Sequence, residues 1–301
     1  MVGGPEKRQV TAFLQETFDM SERRACRVID QSRSTQRYAS RRPEIPRLRE
    51  RLVALAEARP RFGYPRLHLL LRREGFHVNR KRIYRLYRVA GLKLRPKRRP
   101  RAAPRERHPM TPAARANASW SLDFVSDRLA DGRQFRTLTV VDDFVKRCPV
   151  LEVDTSISGA RVTRAIDMAI EIHGKPDRLI MDNGPEFTSR AMIEWASRRG
   201  IELAWIEPGK PIQNAYAESF NARFRDECLN QHHFTTLGDA RAIIEAWRQD
   251  YNTVRPHTSL GGETPERFFE LWSEAMASDQ SCVLQPRLPF PIDSQEHPEP
   301  T

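Results

Sequence analysis

Three acidic residues, Asp123, Asp182 and Glu218, stand in the segments SLDFV, IMDNGPEF and NAYAESFNARFRDECLN, with 35 residues between the second and the third. Carboxylates of this kind, gathered at one place, hold a pair of divalent metals that activates a water or a DNA 3′-hydroxyl for in-line attack on phosphorus. Such chemistry cuts and joins DNA. Each acid also has a plainer reading: Asp123 as the end of a strand, Asp182 as the first residue of an Asx turn before Asn183-Gly184, and Glu218 as an exposed helical glutamate. Their joint occurrence, in strand, strand and helix contexts in that order, favours the chemical reading. Asp142, Asp143 and Glu186 compete for the same role; for them structural or substrate-positioning roles weigh more.

The flanking patterns place these acids. Trp120-Ser121-Leu122-Asp123-Phe124-Val125 alternates with period 2, and Leu179-Ile180-Met181 is a second apolar run that Asp182 closes before the turn Asn183-Gly184-Pro185. Asp182 is thereby expected at the carboxyl end of its strand, where open α/β sheets place ligands. Tyr216, Phe220 and Phe224 recur every four residues and predict the buried face of a helix. At about 100° per residue, Glu218 points nearly opposite Phe220, with Ala222 and Arg225 in line with it at i+4 and i+7. A DNA phosphate has room to approach that face. Strands are expected near 119–126, 135–142, 147–153, 177–182 and 201–206, with helices near 158–173 and 188–199, and this order predicts an α/β mixed sheet flanked by helices. Ile243, Ile244, Trp247 and Tyr251 mark a later helix. Arg255-Pro256-His257 then opens a loop in which His257 reads as structural before it reads as a DNA contact.

Oxygen ligands suit magnesium, whereas zinc calls for His and Cys. Cys26, Cys148, Cys228 and Cys282 are scattered and form no CxxC pair, which argues against a zinc site or a disulfide framework. His232-His233 reads as an exposed pair on a polar turn.

Charge is concentrated at one end. Residues 1–110 hold 30 Lys+Arg against 10 Asp+Glu, a net of +20, and the remainder holds 21 against 29, a net of −8, which together give the +12 of the whole chain. An imbalance sustained over that length is the electrostatic footprint of a nucleic-acid binder. Val10, Phe13, Leu14 and Phe18 predict the inward face of a first amphipathic helix. Ser21 is placed to cap a second that carries Ala25, Cys26 and Ile29 inward, and a third is expected near Ser34 beside Arg33 and Arg37. After two prolines at 43 and 46, Leu48, Leu52 and Leu55 predict one helix, and Leu67, Leu70 and Leu71 another that ends at Gly75. Asn79 then caps a helix with Ile83, Leu86, Tyr87 and Ala90 inward and Lys81, Arg85 and Arg88 outward, the pattern of a recognition helix. The stretch from Lys93 to Arg107, which contains Lys97, Arg98 and Arg99, is too polar to bury and reads as a linker that tracks phosphates. From about 275 the chain is rich in Pro, Ser, Gln and acid and reads as a disordered tail. No apolar run reaches the roughly 20 residues of a membrane span, and no secretory segment opens the chain, so the expected place is the cytoplasm, on the nucleoid.

The motifs SLDFVSD, TVVDDF, DNGPEF, PGKPIQNAYAESFN, RDECLN and YNTVRPHTSLGGETPERF resemble the downstream-frame (B-frame) transposase of the insertion-sequence-three family, whose catalytic core is shared with retroviral integrases. The likeness runs through almost the whole chain, from VGGPEKR onward. It implies an RNase H-like core, with an all-α helix-turn-helix region before it. The implied units are 1–42 and 43–92 as helix-turn-helix-like modules, 93–117 as a basic linker, 118–272 as the core and 273–301 as the tail. It further implies Asp123, Asp182 and Glu218 as the catalytic and metal-holding triad for two Mg2+ ions, with Mn2+ as a substitute. Arg225 occupies the family's basic position, and Ala222 departs from an expected glycine; Lys210 is a further cation expected to position phosphate. The implied substrates are the element's terminal inverted repeats and target DNA, and the implied partners are further copies of the chain in a synaptic complex and an upstream-frame protein or fusion. Two other classes stay open on the residues alone: an RNase H-like nuclease that does not join ends, and a non-catalytic DNA-binding regulator.

Overall fold

The computed structural model describes residues 4–38, 46–94, 113–207 and 214–278. Two compact units divide it, residues 1–49 and residues 50–301. Residues 50–92 of the expected second module lie in the same unit as the core.

In the first unit, α1 (Gly4–Phe18), α2 (Glu22–Val28) and α3 (Arg33–Arg37) follow one another. Ser21 takes the N-cap position of α2 without a side-chain cap bond, and Ala25 and Cys26 are buried as expected. Ser32 caps α3 through a bond from the Thr35 amide. Arg33 and Arg37 both bond Glu22. The expected inward face of α1 is corrected. Val10, Phe13 and Phe18 are exposed, and Thr11 is the buried residue, its hydroxyl satisfied by the Lys7 carbonyl. Periodicity marks an apolar face but not what covers it.

The second unit begins within α4 (Pro46–Ala58) and continues through α5 (Tyr64–Arg73) and α6 (Arg80–Val89). Leu52, Leu55, Leu67, Leu70, Leu71, Ile83 and Tyr87 are buried, which satisfies the apolar stripes. Gly75 follows α5 at φ +89°, a left-handed conformation that costs glycine little. Asn79 caps α6 by accepting from the Lys81 amide at 2.8 Å. This helical segment is pinned to the rest of its unit. Arg59 bonds Asp250, Arg66 bonds Glu227, and Arg73 donates to the carbonyls of Val254 and Gly262.

The sheet comprises β1 (Ser119–Arg128), β2 (Gln134–Asp142), β3 (Val150–Asp154), β4 (Arg178–Met181) and β5 (Glu202–Trp205) in the order β3-β2-β1-β4-β5. β1, β2 and β3 pair antiparallel, whereas β4 and β5 add in parallel beside β1. Antiparallel hairpins need only short turns, and the parallel additions need the helical crossovers α7 (Gly159–His173) and α8 (Arg190–Arg199). β3 starts at Val150, not near 147. Residues 143–149 are held in a loop in which the Asp142 amide bonds the Arg147 carbonyl and Lys146 sits at φ +60°.

Two cores flank the sheet. Trp120, Leu122, Leu138, Val140, Leu179 and Met181 meet α7 and α8 through Val162, Ile166, Met192 and Trp195. On the other face Val125, Phe135, Val141 and Leu151 meet α9 (Ala215–Glu227) and α10 (Leu237–Thr253) through Phe220, Phe224, Ile244 and Tyr251. This helix-sheet-helix sandwich with its mixed strand order is the RNase H-like arrangement. α11 (Pro265–Ser278) closes the described chain and runs on through 273–278, where the tail was expected to have begun. Phe268 is buried against Val145 and Leu260, and that packing carries the helix past the shift in composition.

Candidate active site

Asp123 lies in the middle of β1, on the face that α9 covers, because Trp120, Leu122 and Phe124 take the other side. Its Oδ1 accepts from the Phe124 amide at 2.7 Å, and its Oδ2 accepts from Asn221 Nδ2 at 2.7 Å. Burial pushes the Asp123 carboxyl above the usual range; the hydrogen bonds from Phe124 and Asn221 oppose this, and the negative charges of Asp182 and Glu218 add to it. Asp182, at a strand end, and Glu218, on a helix, thus each lie within electrostatic range of Asp123 in mid-strand.

Asp182 follows the last residue of β4, as its spacing predicts. The Gly184 amide donates to its Oδ1 at 3.0 Å in the expected Asx turn, and a Cβ on Gly184 would lie 3.0 Å from that oxygen. Asn183 Nδ2 ties the turn to the Ile206 carbonyl at the end of β5. Glu186 forms an ion pair with Arg136, whose guanidinium stacks 4.1 Å from the Phe124 ring centroid. Glu186 therefore braces the turn.

Glu218 is exposed on the first turn of α9, with Ala222 and Arg225 exposed on the same side. Arg225 donates to the Ser126 carbonyl, three residues beyond Asp123 on β1. The face opposite is Ala217, Phe220 and Phe224; Tyr216, expected among them, is only half-buried and lies under Lys146, whose Nζ is 3.5 Å from its ring centroid. Two asparagines that the motif reading passed over hold this helix to β1. Asn214 donates to the Leu122 carbonyl at 3.1 Å, and Asn221 donates to Asp123. Seven residues apart, they share one helical face, and that spacing beside the apolar stripe was the available signal.

Among the described residues no group of three or more His, Cys, Asp and Glu side chains is drawn together tightly enough to hold a metal ion as it stands. An all-carboxylate set still suits a hard cation, and Asn221 Oδ1, buried beside Asp123 with no hydrogen-bond partner among the described residues, is a further oxygen of the right kind.

The competing acids have other duties. Asp142 accepts from the amides of Asn117, Phe144 and Val145 and so shapes the loop after β2. Asp143 accepts from the hydroxyls of Ser119 and Ser121, both at 2.6 Å. His257 is buried, with Nε2 on the Tyr251 carbonyl, and burial lowers its pKa to about 3. His232 is exposed and bonds the Cys228 carbonyl. Cys26, Cys148 and Cys228 are free thiols, and Cys282 lies outside the described residues. Lys81, Arg85 and Arg88 are exposed along α6, whereas Lys97, Arg98, Arg99 and Lys210 lie outside the described residues.

The Integrase core domain family matches residues 113–211 and again 199–265, and the HTH-like domain family matches residues 46–100. The insertion element IS407 31.7 kDa protein of Burkholderia multivorans is 52% identical over 256 residues, 85% of this chain and 92% of the relative. The Escherichia coli transposase InsF for insertion sequence IS3A is 26% identical over 231 residues, 72% of this chain and 80% of the relative. The chain belongs to the insertion-sequence-three family of transposases. This transposase is 49% identical to the insertion element IS476 39.2 kDa protein of Xanthomonas euvesicatoria, over 87% of its own length and 76% of that protein's. Its structure is similar to a chain of the simian T-cell lymphotropic virus intasome (TM-score 0.46, 15% identity, 82% of this chain and 80% of that one). It is also similar to the HTLV-2 integrase catalytic core in complex with magnesium (TM-score 0.42, 19% identity, 51% and 96%). As a transposase with an integrase core, the protein is a polynucleotidyl transferase that binds DNA and serves DNA transposition. No described helix is long and apolar enough to cross a membrane.

Proposed function

We propose that this transposase cuts at the terminal inverted repeats of its element and joins the freed ends to new DNA, with Asp123, Asp182 and Glu218 as its catalytic acids. The observation that carries the reading is the geometry: Asn221 of α9, three residues after Glu218, bonds Asp123 of β1, and β4, which Asp182 follows, pairs in parallel beside β1. These residues would hold divalent metal, magnesium by the hardness of the ligand set with manganese as a substitute; when bound, it polarises phosphate oxygens and makes a water or hydroxyl a better nucleophile. Asn221 holds the Asp123 carboxylate in one orientation, and the Gly184 amide does the same for Asp182.

In the first reaction a water oxygen bonds to phosphorus as the bond to the 3′-oxygen breaks, and that oxygen leaves as a 3′-hydroxyl. In the second, the 3′-hydroxyl attacks a new phosphodiester and displaces another 3′-oxygen. One phosphodiester is exchanged for another, so joining needs no nucleotide cofactor. Arg225, exposed in line with Glu218, positions a phosphate. Lys81, Arg85 and Arg88 on α6 form the exposed row of a recognition helix, and the basic linker and Lys210 add phosphate contacts. The transposase works as a multimer that brings two ends together, with an upstream-frame protein or fusion as partner, in the cytoplasm on the nucleoid.

The deciding experiment is cleavage and joining of a labelled terminal-repeat duplex with magnesium, comparing the wild type with Asp182→Asn and Glu218→Gln. Joined product from the wild type alone supports the assignment. Cleaved ends that never join point to a nuclease, and retained cleavage in either variant removes that residue from the set.

A further inference from the structure

Around α9 from the carboxylates, Tyr216, Ser219 and Arg223 line a hollow of about 350 Å³. Arg66 of α5, Lys146 of the loop after β2, and Arg255, Thr258 and Ser259 of the loop after α10 complete its wall. Four cations face this space, and the carboxylates near them are already engaged. Glu227 accepts from Arg255 at 2.6 and 2.7 Å and from Arg66 at 3.1 Å, one carboxylate against two guanidiniums. Lys146 donates its Nζ to the Asp143 backbone carbonyl, and the Asp143 carboxylate oxygens are taken by the two serine hydroxyls. Arg223 donates only to Ser219 among the described residues. Its charge, after burial and the charge of Arg255, is among the causes that make Arg66 harder to protonate. His257 stands on the wall but gives its Nε2 to the Tyr251 carbonyl.

Like charges crowded into a partly buried space are unfavourable until an anion shares them. Guanidinium forks with an ammonium and hydroxyls beside them match the tetrahedral oxygens of a phosphate. The hollow is open to solvent at Thr258 and Ser259, both exposed. Its size lies in the range of ligand sites, about 300–1,000 Å³.

We propose that this hollow is a DNA phosphate-binding site, separate from the acidic triad, that takes one phosphodiester of a strand crossing α9. The inference rests on the transposase reading, which supplies DNA as the anion. Ser219 and Arg223 are offset by about 100° around the helix from Glu218 and Ala222. A strand held at Glu218 is thereby led round α9 into the hollow. Because Arg66 comes from the helical segment and Arg255 from beyond α10, the same phosphate bridges those parts of the unit.

The test is a salt titration of duplex DNA binding by the full chain, read by fluorescence anisotropy, for the wild type, Arg223→Gln, Arg223→Lys and Ser259→Asp. Loss of one phosphate contact reduces the slope of log K against log salt by about 0.9. Arg223→Gln is expected to lose about that much, Arg223→Lys to keep the slope, and Ser259→Asp to weaken binding by placing a carboxylate at the mouth. Melting temperatures show whether each variant is folded. Should Arg223→Gln fail to fold, Ser259→Asp, on an exposed turn, decides alone. An unchanged slope in folded Arg223→Gln, or undiminished affinity in Ser259→Asp, overturns the site. If the wild type joins terminal repeats while those variants bind as it does, only the hollow is refuted; if the wild type binds no DNA, the transposase reading falls with it.

Discussion

Asn221 Nδ2 donates to Asp123 Oδ2 at 2.7 Å, and this bond fastens the helix that carries Glu218 to the strand that carries the first acid. Glu218 is three residues before Asn221 on the same helix, so the bond sets the distance between two of the proposed catalytic carboxylates. Asn221→Ala should keep DNA binding and lower joining at least tenfold, since a hydrogen bond to a charged group contributes about 1.5–3 kcal/mol. Asn221→Asp, which sets a carboxylate against Asp123, should be worse. Joining rates measured over a magnesium titration check this: equal saturating rates for the wild type and Asn221→Ala would remove the positioning role.

Gly159 begins α7 against the turn that follows Asp182. A Cβ there would lie 2.0 Å from Ser189 Oγ and 2.7 Å from the Glu186 carbonyl oxygen. Ser189 caps α8 and also bonds that carbonyl, so neither neighbour moves freely. Gly159→Ala should cost about 1–3 kcal/mol of stability through overpacking and should reduce joining beyond the loss of folded protein. Urea unfolding together with specific activity per folded molecule separates the two effects.

Asp143 is buried, and burial raises its carboxyl from 3.8 to about 6, against the opposing bonds of Ser119 and Ser121. The folded state therefore holds this proton more tightly than the unfolded state. The stability it contributes is complete below 3.8 and is lost as the pH rises through 6. Relative to Asp143→Asn, which does not titrate there, the wild type should lose melting temperature between pH 4 and pH 7. A difference between the two that stays constant across that range would show that Asp143 is not perturbed.

Glu227 is the carboxylate that two arginines share, with its side chain 9% exposed and that of Arg255 2% exposed. Glu227→Ala leaves both guanidiniums without it and should destabilise the second unit by about 3–5 kcal/mol, the usual cost of breaking a buried pair from one side. Chemical denaturation followed by tryptophan fluorescence measures the loss. Inorganic phosphate should restore part of it if the neighbouring hollow accepts that anion.

Much of this protein is determined by local pattern. Period-2 alternation in Trp120–Val125, turn chemistry at Asn183-Gly184 and the Asn79 cap each depend on a few neighbouring residues, so the strands, the Asx turn and α6 are legible in the amino-acid order. The places of the three proposed acids, in mid-strand, after a strand end and on an exposed helix face, follow from the same short-range rules. Tertiary structure decided the rest. The order β3-β2-β1-β4-β5 depends on which strands find each other after the crossovers. The partnership of Asn214 and Asn221 with β1 depends on α9 lying across that face. Val10 and Phe13 show the limit from the other side, because an amphipathic stripe says only that a face is apolar, and burial needs a partner surface. The four-cation hollow joins residues 66, 146, 223 and 255, and proximity across such separations is made by packing, which no local periodicity encodes.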